Sequence, residues 1–379
     1  TVTNAVVISG TPAEVTAALV TAGTKVEVGA AKVTVSGNPT ITQLNNIAAE
    51  TTGAVTATLA AASLSDLGSL DTASTDVITV TVNDADAAAV TAANLSTLGG
   101  KTAGTVTVTN AVAITGSVAE ATAALVTAGT KVSVSDATVT VTGTPTIAEL
   151  NDIGDATTGV VTATLAAASL SDLGSLDTAS TDVITVTVND ADNAAVTAAN
   201  LSTLGGKTAG TVTVTNAVAI TGSVAEATAA LVTAGTKVSV SDATVTVTGT
   251  PTIAELNDIG DATTGVVTAT LAAASLSDLG SLDTASTDVI TVTVNDADNA
   301  AVTAANLSTL GGKTAGTVTV SNAVAITGDH DQLTAALVTS GTKVEVGAAT
   351  VTVNDADATA ITASELSAIG GATTGDVTV

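Results

Sequence analysis

A perfect internal repeat constrains this chain more than any other feature. Residues 105–210 recur without a substitution as residues 211–316, while residues 1–104 are a diverged copy and residues 317–379 a shortened one. In a repeat array each unit packs mainly against its neighbours, so the repeat count replaces the usual domain count. We therefore expect repeat 1 (1–104), repeat 2 (105–210), repeat 3 (211–316) and repeat 4 (317–379) to form one continuous solenoid.

The shortened copy indicates how the unit is subdivided. After Val353 the sequence passes from the second quarter of the unit directly into the fourth, because residues 354–357 match residues 189–192. Two whole quarters are missing, and no linker replaces them. This favours quarters that are interchangeable coils of a stack over quarters that are parts of one globular domain.

Alternating Thr and Val residues predict the strands. Within repeat 2 the alternating runs are residues 105–109, 138–142, 160–165 and 183–188, with a shorter run at 132–134. Successive side chains of a strand point to opposite faces, so one face should be apolar and buried while the other carries Thr. The predicted inner face holds Val106, Val108, Val139, Val141, Ile184, Val186 and Val188, and the outer face holds Thr105, Thr107, Thr138, Thr140, Thr185 and Thr187.

Short helices are predicted between the strands, because Leu and Ile recur there every three residues. Capping boxes, in which Ser or Thr precedes Glu by three positions, predict helix starts at Thr11 with Glu14, Ser117 with Glu120, Thr146 with Glu149, and Thr362 with Glu365. Glycines predict helix ends at Gly129, at Gly154, and at Gly205 and Gly206.

One strand and one helical return per coil define the predicted fold class. Strand starts at residues 105, 138, 160, 183 and 211 give coils of roughly 22–33 residues, and stacking such coils makes the strands parallel. The chain has no Phe, Trp, Tyr, Met or Cys, and a core with the same narrow cross-section in every layer does not need large aromatic side chains. We predict a β-solenoid of parallel strands with short helical or 3₁₀ segments on one side, that is, an α/β solenoid.

Charge and residue usage argue against several classes of protein. The net charge is −27 and all 8 basic residues are Lys, which excludes a basic surface for nucleic acid. No run of about 18 apolar residues occurs, so we expect no membrane insertion. A single His, no Cys, no Arg and no catalytic motif predict that the protein is not an enzyme and uses no cofactor.

An acidic turn, Asn-Asp-Ala-Asp, recurs after the strand of the last quarter. Its carboxylates are Asp84, Asp86, Asp190, Asp192, Asp296, Asp298, Asp355 and Asp357. Carboxylates one residue apart are candidate Ca²⁺ ligands if a neighbouring turn completes six to eight oxygens. Asx turns that leave a strand and cap the next helix explain the same residues. The sequence leaves both interpretations open.

The single histidine, His330, lies between Asp329 and Asp331, where repeats 2 and 3 have Ser-Val-Ala. An exposed His between two carboxylates could bind a metal weakly, although structural metal sites usually need three or four ligands. The alternative is a turn or helix start, where Asp supplies the cap.

The Thr rows suggest a binding surface. Thr-x-Thr recurs at Thr105/Thr107, Thr138/Thr140, Thr162/Thr164 and Thr185/Thr187. In this motif the chain resembles the Thr-x-Thr faces of insect β-solenoid antifreeze proteins, although it lacks their disulfides and short coils. The resemblance implies ice binding as an alternative function.

A second resemblance covers nearly the whole chain. The segment 148–164, Ala-Glu-Leu-Asn-Asp-Ile through Ala-Thr-Thr-Gly-Val-Val-Thr-Ala-Thr, resembles repeats in very large secreted surface or adhesin-like proteins of cyanobacteria and other aquatic bacteria. It implies a structural or adhesive role outside the cell, in a surface filament, sheath, surface layer or adhesin stalk. The chain contains no Met, so we expect a processed or partial segment of something longer.

Two features predict self-association. Lysines recur at the repeat period in two rows, namely Lys25, Lys131, Lys237 and Lys343, and Lys101, Lys207 and Lys313. Among so many carboxylates they should form ion pairs within or between solenoids, which would permit lateral contacts. Residues 1–3 and 376–379 continue the repeat pattern without a cap, so we also expect end-to-end association.

Overall fold

The structure is a computed structural model that describes residues 1–2 and 4–379. The chain divides into two compact units, one comprising residues 1–167, 175–186 and 207–211 and the other residues 168–174, 187–206 and 212–379. Below these are called the first and the second unit. Thr3, part of the predicted uncapped start, lies outside the described residues. Continuity of all four repeats in a single stack stays a prediction.

The elements repeat with the sequence. Repeat 1 contains β1 (Val7–Gly10), α1 (Pro12–Leu19), β2 (Lys32–Val35), α2 (Ile41–Ala48), β3 (Val55–Thr58), α3 (Leu64–Leu67), β4 (Val77–Val82), β5 (Ala89–Thr91) and α4 (Ala92–Gly99). Repeat 2 contains β6 (Val106–Val108), β7 (Ala113–Ser117), α5 (Val118–Leu125), β8 (Thr138–Thr142), α6 (Ile147–Asp155), β9 (Val161–Thr164), α7 (Leu170–Leu173), β10 (Val183–Val188), β11 (Ala195–Thr197) and α8 (Ala198–Gly205).

Repeat 3 has the same elements as repeat 2, and repeat 4 is shorter. Repeat 3 contains β12 (Val212–Val214), β13 (Ala219–Ser223), α9 (Val224–Leu231), β14 (Thr244–Thr248), α10 (Ile253–Asp261), β15 (Val267–Thr270), α11 (Leu276–Leu279), β16 (Val289–Val294), β17 (Ala301–Thr303) and α12 (Ala304–Gly311). Repeat 4 contains β18 (Val318–Val320), β19 (Ala325–Gly328), α13 (His330–Leu337), β20 (Glu345–Val346), β21 (Thr350–Val353), α14 (Ala363–Gly370) and β22 (Val377–Thr378).

Parallel pairing confirms the predicted fold class in both units. In the first unit the strands stack in the order β1-β2-β3-β4-β6, and β5, β7, β8, β9 and β10 stack in the same way. In the second unit the orders are β11-β13-β14-β15-β16-β18-β20 and β17-β19-β21-β22. Each strand is followed by a short helix or turn before the next coil, which makes each unit an α/β solenoid.

The register explains why a core of small aliphatic side chains suffices. Ile220 pairs with Val245, and Val245 with Val267, so apolar side chains stack on apolar side chains from coil to coil. All three are buried, as is every residue assigned to the inner face in repeat 2. The Thr residues of the opposite face are exposed or half-buried, which confirms the prediction from period-two alternation.

Capping boxes begin the helices as predicted. At Thr11, Ser117, Thr146 and Thr362 the hydroxyl accepts the N–H of the Glu three residues later, and that Glu accepts the N–H of the capping residue. Two otherwise unpaired backbone donors are satisfied at each start. The short helices can therefore form within coils of this length.

Two predicted helix ends are wrong. α5 ends at Leu125 with Val126 as its C-cap, so Gly129 lies in the following turn. α6 continues through Gly154 to Asp155. Of the three predicted ends, the one at Gly205 and Gly206 is confirmed, since Gly206 is the C-cap of α8. A C-cap in ordinary right-handed helical geometry does not require glycine, so Val126 and Ala156 can end α5 and α6.

Strand assignment was also incomplete. The alternating pattern predicts residues 105–109 in the same stack as residues 138–142, but β6 pairs with β4, and it is β7 that pairs with β8. β7 and β11 were not predicted, since Ala-Ile-Thr-Gly-Ser and Ala-Val-Thr lack a run of alternating Thr and Val. Residues 132–134 form a single bridge, Thr107 with Ser133, in place of a strand.

Buried polar groups join neighbouring coils. Asp182, which is 3% exposed, accepts the N–H groups of Val161 at 2.8 Å and Ala179 at 2.9 Å. The hydroxyl of the buried Thr208 lies 2.8 Å from the carbonyl oxygen of Asp182 and accepts the N–H of Ile184 at 2.7 Å. Each carboxylate and hydroxyl thus replaces strand hydrogen bonds where the backbone turns.

Candidate functional site

The acidic turn, Asn-Asp-Ala-Asp, follows a strand in every repeat, namely β4, β10, β16 and β21. In repeat 2 it occupies residues 189–192, between β10 and β11. The residue that follows has a left-handed backbone, with φ of 60° at Asn193 and 65° at Ala358 in repeat 4. The same turn geometry is therefore kept in the shortened copy.

The first carboxylate of each turn caps a helix of a neighbouring coil. Asp190 accepts the N–H of Leu170 at 2.7 Å, and Leu170 is the first residue of α7. The equivalent pairs are Asp84 with Leu64 at 2.7 Å, Asp296 with Leu276 at 2.7 Å, and Asp355 with His330 at 2.9 Å. A negative charge at a helix N-terminus is favourable because unpaired N–H groups and the helix dipole both point towards it.

The second carboxylate binds the coil that follows. Asp192 accepts the N–H of Ala217 at 3.1 Å, and the equivalent bonds are Asp86 with Ala111 at 3.1 Å and Asp298 with Ala323 at 2.9 Å. Asp357 accepts no hydrogen bond from residues 1–2 and 4–379. The predicted cap on the next helix is wrong, because the N-cap of α8 is Thr197. The turn instead caps the helix of a preceding coil and holds the following coil.

This arrangement bears on the calcium hypothesis. The two carboxylates of a turn are used by different backbone segments, and among the described residues no group of three or more His, Cys, Asp or Glu side chains could hold a metal ion. Backbone carbonyls can also bind Ca²⁺. Calcium at Asp84, Asp86, Asp190, Asp192, Asp296, Asp298, Asp355 and Asp357 stays a hypothesis that needs a binding measurement.

His330 begins a helix, which confirms the helix-start interpretation of its sequence position. It is the first residue of α13, and Asp329 is the N-cap. The side chain is not exposed as expected: it is 16% accessible, and its Nδ1 lies 2.7 Å from Oδ1 of Asp355. This hydrogen bond, together with the charges of Asp331 and Glu365, raises the pKa of His330 and outweighs its partial burial, while the same bond lowers the pKa of Asp355.

The Thr faces form columns across the strands. In the second unit Thr197, Thr221, Thr246 and Thr268 pair in succession, and in the first unit Thr91, Thr115, Thr140 and Thr162 do the same. Val289 and Val183 occupy the next position of the respective columns, and each is 41% exposed. Thr105 and Thr107 belong to a different row, since β6 does not pair with β8.

Several of the lysines pair within their own unit. Lys25 lies 2.6 Å from Glu50, Lys101 lies 3.3 Å from Asp71, and Lys207 lies 3.6 Å from Asp177. The Nζ of Lys313 donates to the carbonyl oxygen of Leu282. Ion pairs within a solenoid, one of the two predicted kinds, thus account for three lysines of these rows.

No protein-family model, curated protein or solved structure significantly matches this chain. Within the described residues, no helix has the length and apolar character needed to cross a membrane.

Proposed function

We propose that this protein is a non-enzymatic structural repeat protein of the cell exterior, a segment or subunit of a surface filament, sheath, surface layer or adhesin stalk. One observation carries the proposal: the carboxylates of the recurring acidic turn are used as hydrogen-bond acceptors for the backbone of neighbouring coils. The bond to the first carboxylate recurs in all four repeats and the bond to the second in repeats 1 to 3, so the polar side chains build a stack and do not converge on one pocket.

Composition supports an exterior location. The net charge of −27 favours a soluble, hydrated surface, and the resemblance of residues 148–164 to secreted bacterial surface repeats points the same way. Immunogold electron microscopy of intact source cells, with antibodies against residues 105–210, should label the outer surface. Label confined to the cell interior would contradict the proposal.

A second candidate, ice binding, is favoured by the Thr columns. Thr221, Thr246 and Thr268 stand on adjacent parallel strands, which are spaced about 4.8 Å apart. An ice-recrystallisation assay would test this candidate. Inhibition by the wild type, lost in Thr246→Lys but kept in the control Thr203→Lys on the exposed side of α8, would establish it; no inhibition would remove it.

Calcium binding is tested by thermal melting. A ligand that binds only the folded state must raise Tm. Under the structural proposal, Tm is the same in millimolar Ca²⁺ and in chelator. A higher Tm in Ca²⁺ that disappears in Asp190→Asn, but not in the exposed control Asp177→Asn, would favour the metal hypothesis instead.

A further inference from the structure

We propose that Asn94, Asn200 and Asn306 carry N-linked glycans, one in each of repeats 1 to 3. The inference rests on the exterior location proposed above and adds a covalent modification to it. Each of these residues, called the acceptor asparagines below, begins the sequence Asn-Leu-Ser. Asn-x-Ser or Asn-x-Thr, with any residue except Pro at x, is the acceptor motif for N-glycosylation.

The motif is confined to one position of the repeat. Apart from the acceptor asparagines, only Asn38 has Ser or Thr two residues later, and Pro39 between them blocks the motif. Repeat 4 has Glu365 at the equivalent position, in the sequence Glu-Leu-Ser. The chain therefore offers three acceptors and one repeat that serves as an internal control.

The acceptor asparagines occupy a helix position that is used differently elsewhere in the chain. They are the third residues of α4, α8 and α12. In every other helix of eight or nine residues the third residue is Glu or Gln, and its side chain accepts the N–H of the N-cap residue to complete a capping box. Asparagine is one methylene shorter, and at Asn94 the box keeps its other half, the bond from the N–H of Asn94 to the hydroxyl of Thr91 at 3.2 Å.

Helix stability alone does not favour asparagine at this position. A complete capping box satisfies two backbone donors that a helix start leaves unpaired. Glu fits the equivalent position of repeat 4, because Glu365 completes the box with Thr362. A departure from a local rule that the rest of the chain obeys is expected at functional positions. The repeated asparagine thus points to a use other than helix capping.

The acceptor asparagines are also free to carry a substituent. They are exposed, and their side-chain amides form no hydrogen bond with residues 1–2 and 4–379. Other asparagines join coils: the amide of Asn45 donates to the carbonyl oxygen of Ser69 at 2.8 Å, and that of Asn110 to the carbonyl oxygen of Asp84 at 2.6 Å. A glycan on Asn45 or Asn110 would disturb such a bond, whereas a glycan on an acceptor asparagine disturbs none.

The folded helix indicates when the sugar is transferred. Residues two apart point to different sides of a helix, and the hydroxyl of Ser96 donates to the carbonyl oxygen of Ala93 at 3.0 Å. A transferase that contacts both Asn94 and Ser96 therefore acts on the chain before α4 forms. Folding afterwards places Asn94 on the exposed side of the helix.

The transfer needs a sugar activated as a lipid-linked diphosphate. The amide nitrogen of the asparagine forms a bond to the anomeric carbon of the sugar and loses one proton. The bond between the anomeric carbon and the diphosphate oxygen breaks, and the lipid diphosphate leaves with its electron pair. No group is oxidised or reduced.

A cleft beside Asn94 provides space for the first sugar. Helix α3 has four residues and α4 has eight, so α3 covers only part of its neighbour. The cleft has a volume of about 260 Å³, and its lining includes the buried Leu67 and Leu98 together with Asn94 and Lys101. A cleft of about 300 Å³ with the same residue types recurs between α11 and α12. This size is at the lower end for ligand pockets and suits a single sugar ring, whose hydroxyls can accept from the Lys ammonium.

The first test is glycopeptide mass spectrometry of the protein isolated from its source cells. Cleavage after Lys gives peptide 33–101, which contains Asn94, and the identical peptides 132–207 and 238–313, which report Asn200 and Asn306 together. Fragmentation should locate sugar on the acceptor asparagines, while peptide 344–379, the control, should be unmodified. Bare acceptor asparagines, or sugar attached only to other residues, would overturn the proposal.

The second test changes the motif but keeps the asparagines. A Ser96→Ala/Ser202→Ala/Ser308→Ala chain produced in the source cells should lose the glycans. The matched control is Ser96→Thr/Ser202→Thr/Ser308→Thr, which preserves the motif and should keep them. Glycans that persist in the Ala chain would contradict recognition of Asn-Leu-Ser.

A third measurement tests the argument from the capping box. In protein produced without glycans, Asn94→Gln/Asn200→Gln/Asn306→Gln should raise Tm, because Gln completes the box without a change of charge, as Gln43 does in α2. An unchanged or lower Tm would mean that folding itself favours asparagine and would contradict the inference. Immunogold labelling of the cell surface needs no glycan, so bare acceptor asparagines on a labelled surface would refute glycosylation and leave the exterior role intact.

Discussion

The imidazole Nδ1 of His330 lies 2.7 Å from Oδ1 of Asp355, and this pair exists only in repeat 4. In repeats 2 and 3 the residue equivalent to His330 is Val118 or Val224, beside Gly143 or Gly249 with φ of 90° or 93°. Loss of two quarters puts the acidic turn in the position of that glycine loop. A histidine at the start of α13 then gives the new carboxylate both a backbone and a side-chain donor.

The first prediction concerns the titration of His330. Because it is the only histidine, its imidazole gives one resolved set of NMR signals. Its pKa is raised, chiefly by the hydrogen bond to Asp355, so it should titrate above the ordinary value of about 6.5. Asp355→Asn should lower this pKa, and the control Asp357→Asn should change it little. An unchanged pKa in Asp355→Asn would mean that the pair does not form in solution.

The sign of the linked stability follows from the two shifts. The raised pKa of His330 contributes stability below about pH 6.5, and this contribution is lost as the pH rises through the raised value. The lowered pKa of Asp355 contributes stability above about pH 4, and this contribution is lost as the pH falls through the lowered value. The protection factors of the Val351 to Val353 amides against hydrogen exchange, which correct for the intrinsic pH dependence of the exchange rate, should therefore be largest between these limits in the wild type, and His330→Val should remove that dependence.

The sequence predicted the architecture of the coils because local residue patterns determine it. Alternation of Val and Thr sets which side chains are buried, and capping boxes set where helices start, so both could be read from spacing alone. The pairing of β6 with β4 could not, because it depends on the corner at Asn110, whose side-chain amide donates to the carbonyl oxygen of Asp84 in another coil at 2.6 Å. Hydrogen bonds between coils have no signature in the local pattern.

The helix that the acidic turn caps was not predicted for the same reason, because the cap is a hydrogen bond between coils. The Asx-turn interpretation placed the cap on the next helix, whereas Asp190 caps α7, which precedes it in the chain. The recurring Thr-x-Gly sequences nevertheless carry a signal for contacts between coils. At Thr157 and Gly159 the hydroxyl donates to the carbonyl oxygen of Ala137 at 2.6 Å, and an added Cβ on the glycine would lie 2.3 Å from the same oxygen. A repeated pairing of Thr with Gly thus marks one kind of close approach between two coils.

The second prediction concerns acid. The N-cap backbone and hydroxyl hydrogen bonds lower the pKa of Glu149 and Glu255, so their contribution to stability is present above about pH 4.3 and is lost as the pH falls through the lowered values. Repeat 1 has Gln43 at this position and keeps the capping box. A Glu149→Gln/Glu255→Gln chain should fold at pH 7 with a small loss of stability, and its urea midpoint should fall less than that of the wild type between pH 5 and pH 3. An equal fall would show that these boxes do not contribute to acid sensitivity.

The third prediction concerns the buried Asp182. Asp182→Asn replaces one carboxylate oxygen by an NH₂ group, which cannot accept the N–H of Val161 or Ala179. We expect a loss of about 2 kcal/mol in the free energy of unfolding, the usual size for a lost hydrogen bond to a charged group that leaves a buried donor unpaired. The control Asp177→Asn removes a carboxylate that is 87% exposed and should cost less than about 1 kcal/mol. Urea denaturation of both variants checks the difference, and equal losses would contradict the role assigned to Asp182.

The last prediction concerns the close approach at Gly210. A Cβ on this residue would lie 2.3 Å from the carbonyl oxygen and 2.6 Å from the carbonyl carbon of Ile184, both of which are backbone atoms of a neighbouring coil. Backbone atoms cannot rotate away as a side chain can, so Gly210→Ala must separate the two coils and lengthen the hydrogen bonds of Thr208 to Ile184. We expect a loss of about 3 kcal/mol, at the upper end of typical overpacking penalties. Gly154→Ala is the matched control, because an added Cβ there meets nothing within 4 Å and Ala favours the helix by up to about 1 kcal/mol. Thermal melting of the two variants should therefore move Tm in opposite directions, and a Gly210→Ala chain as stable as the wild type would mean that the coils are not packed this closely in solution.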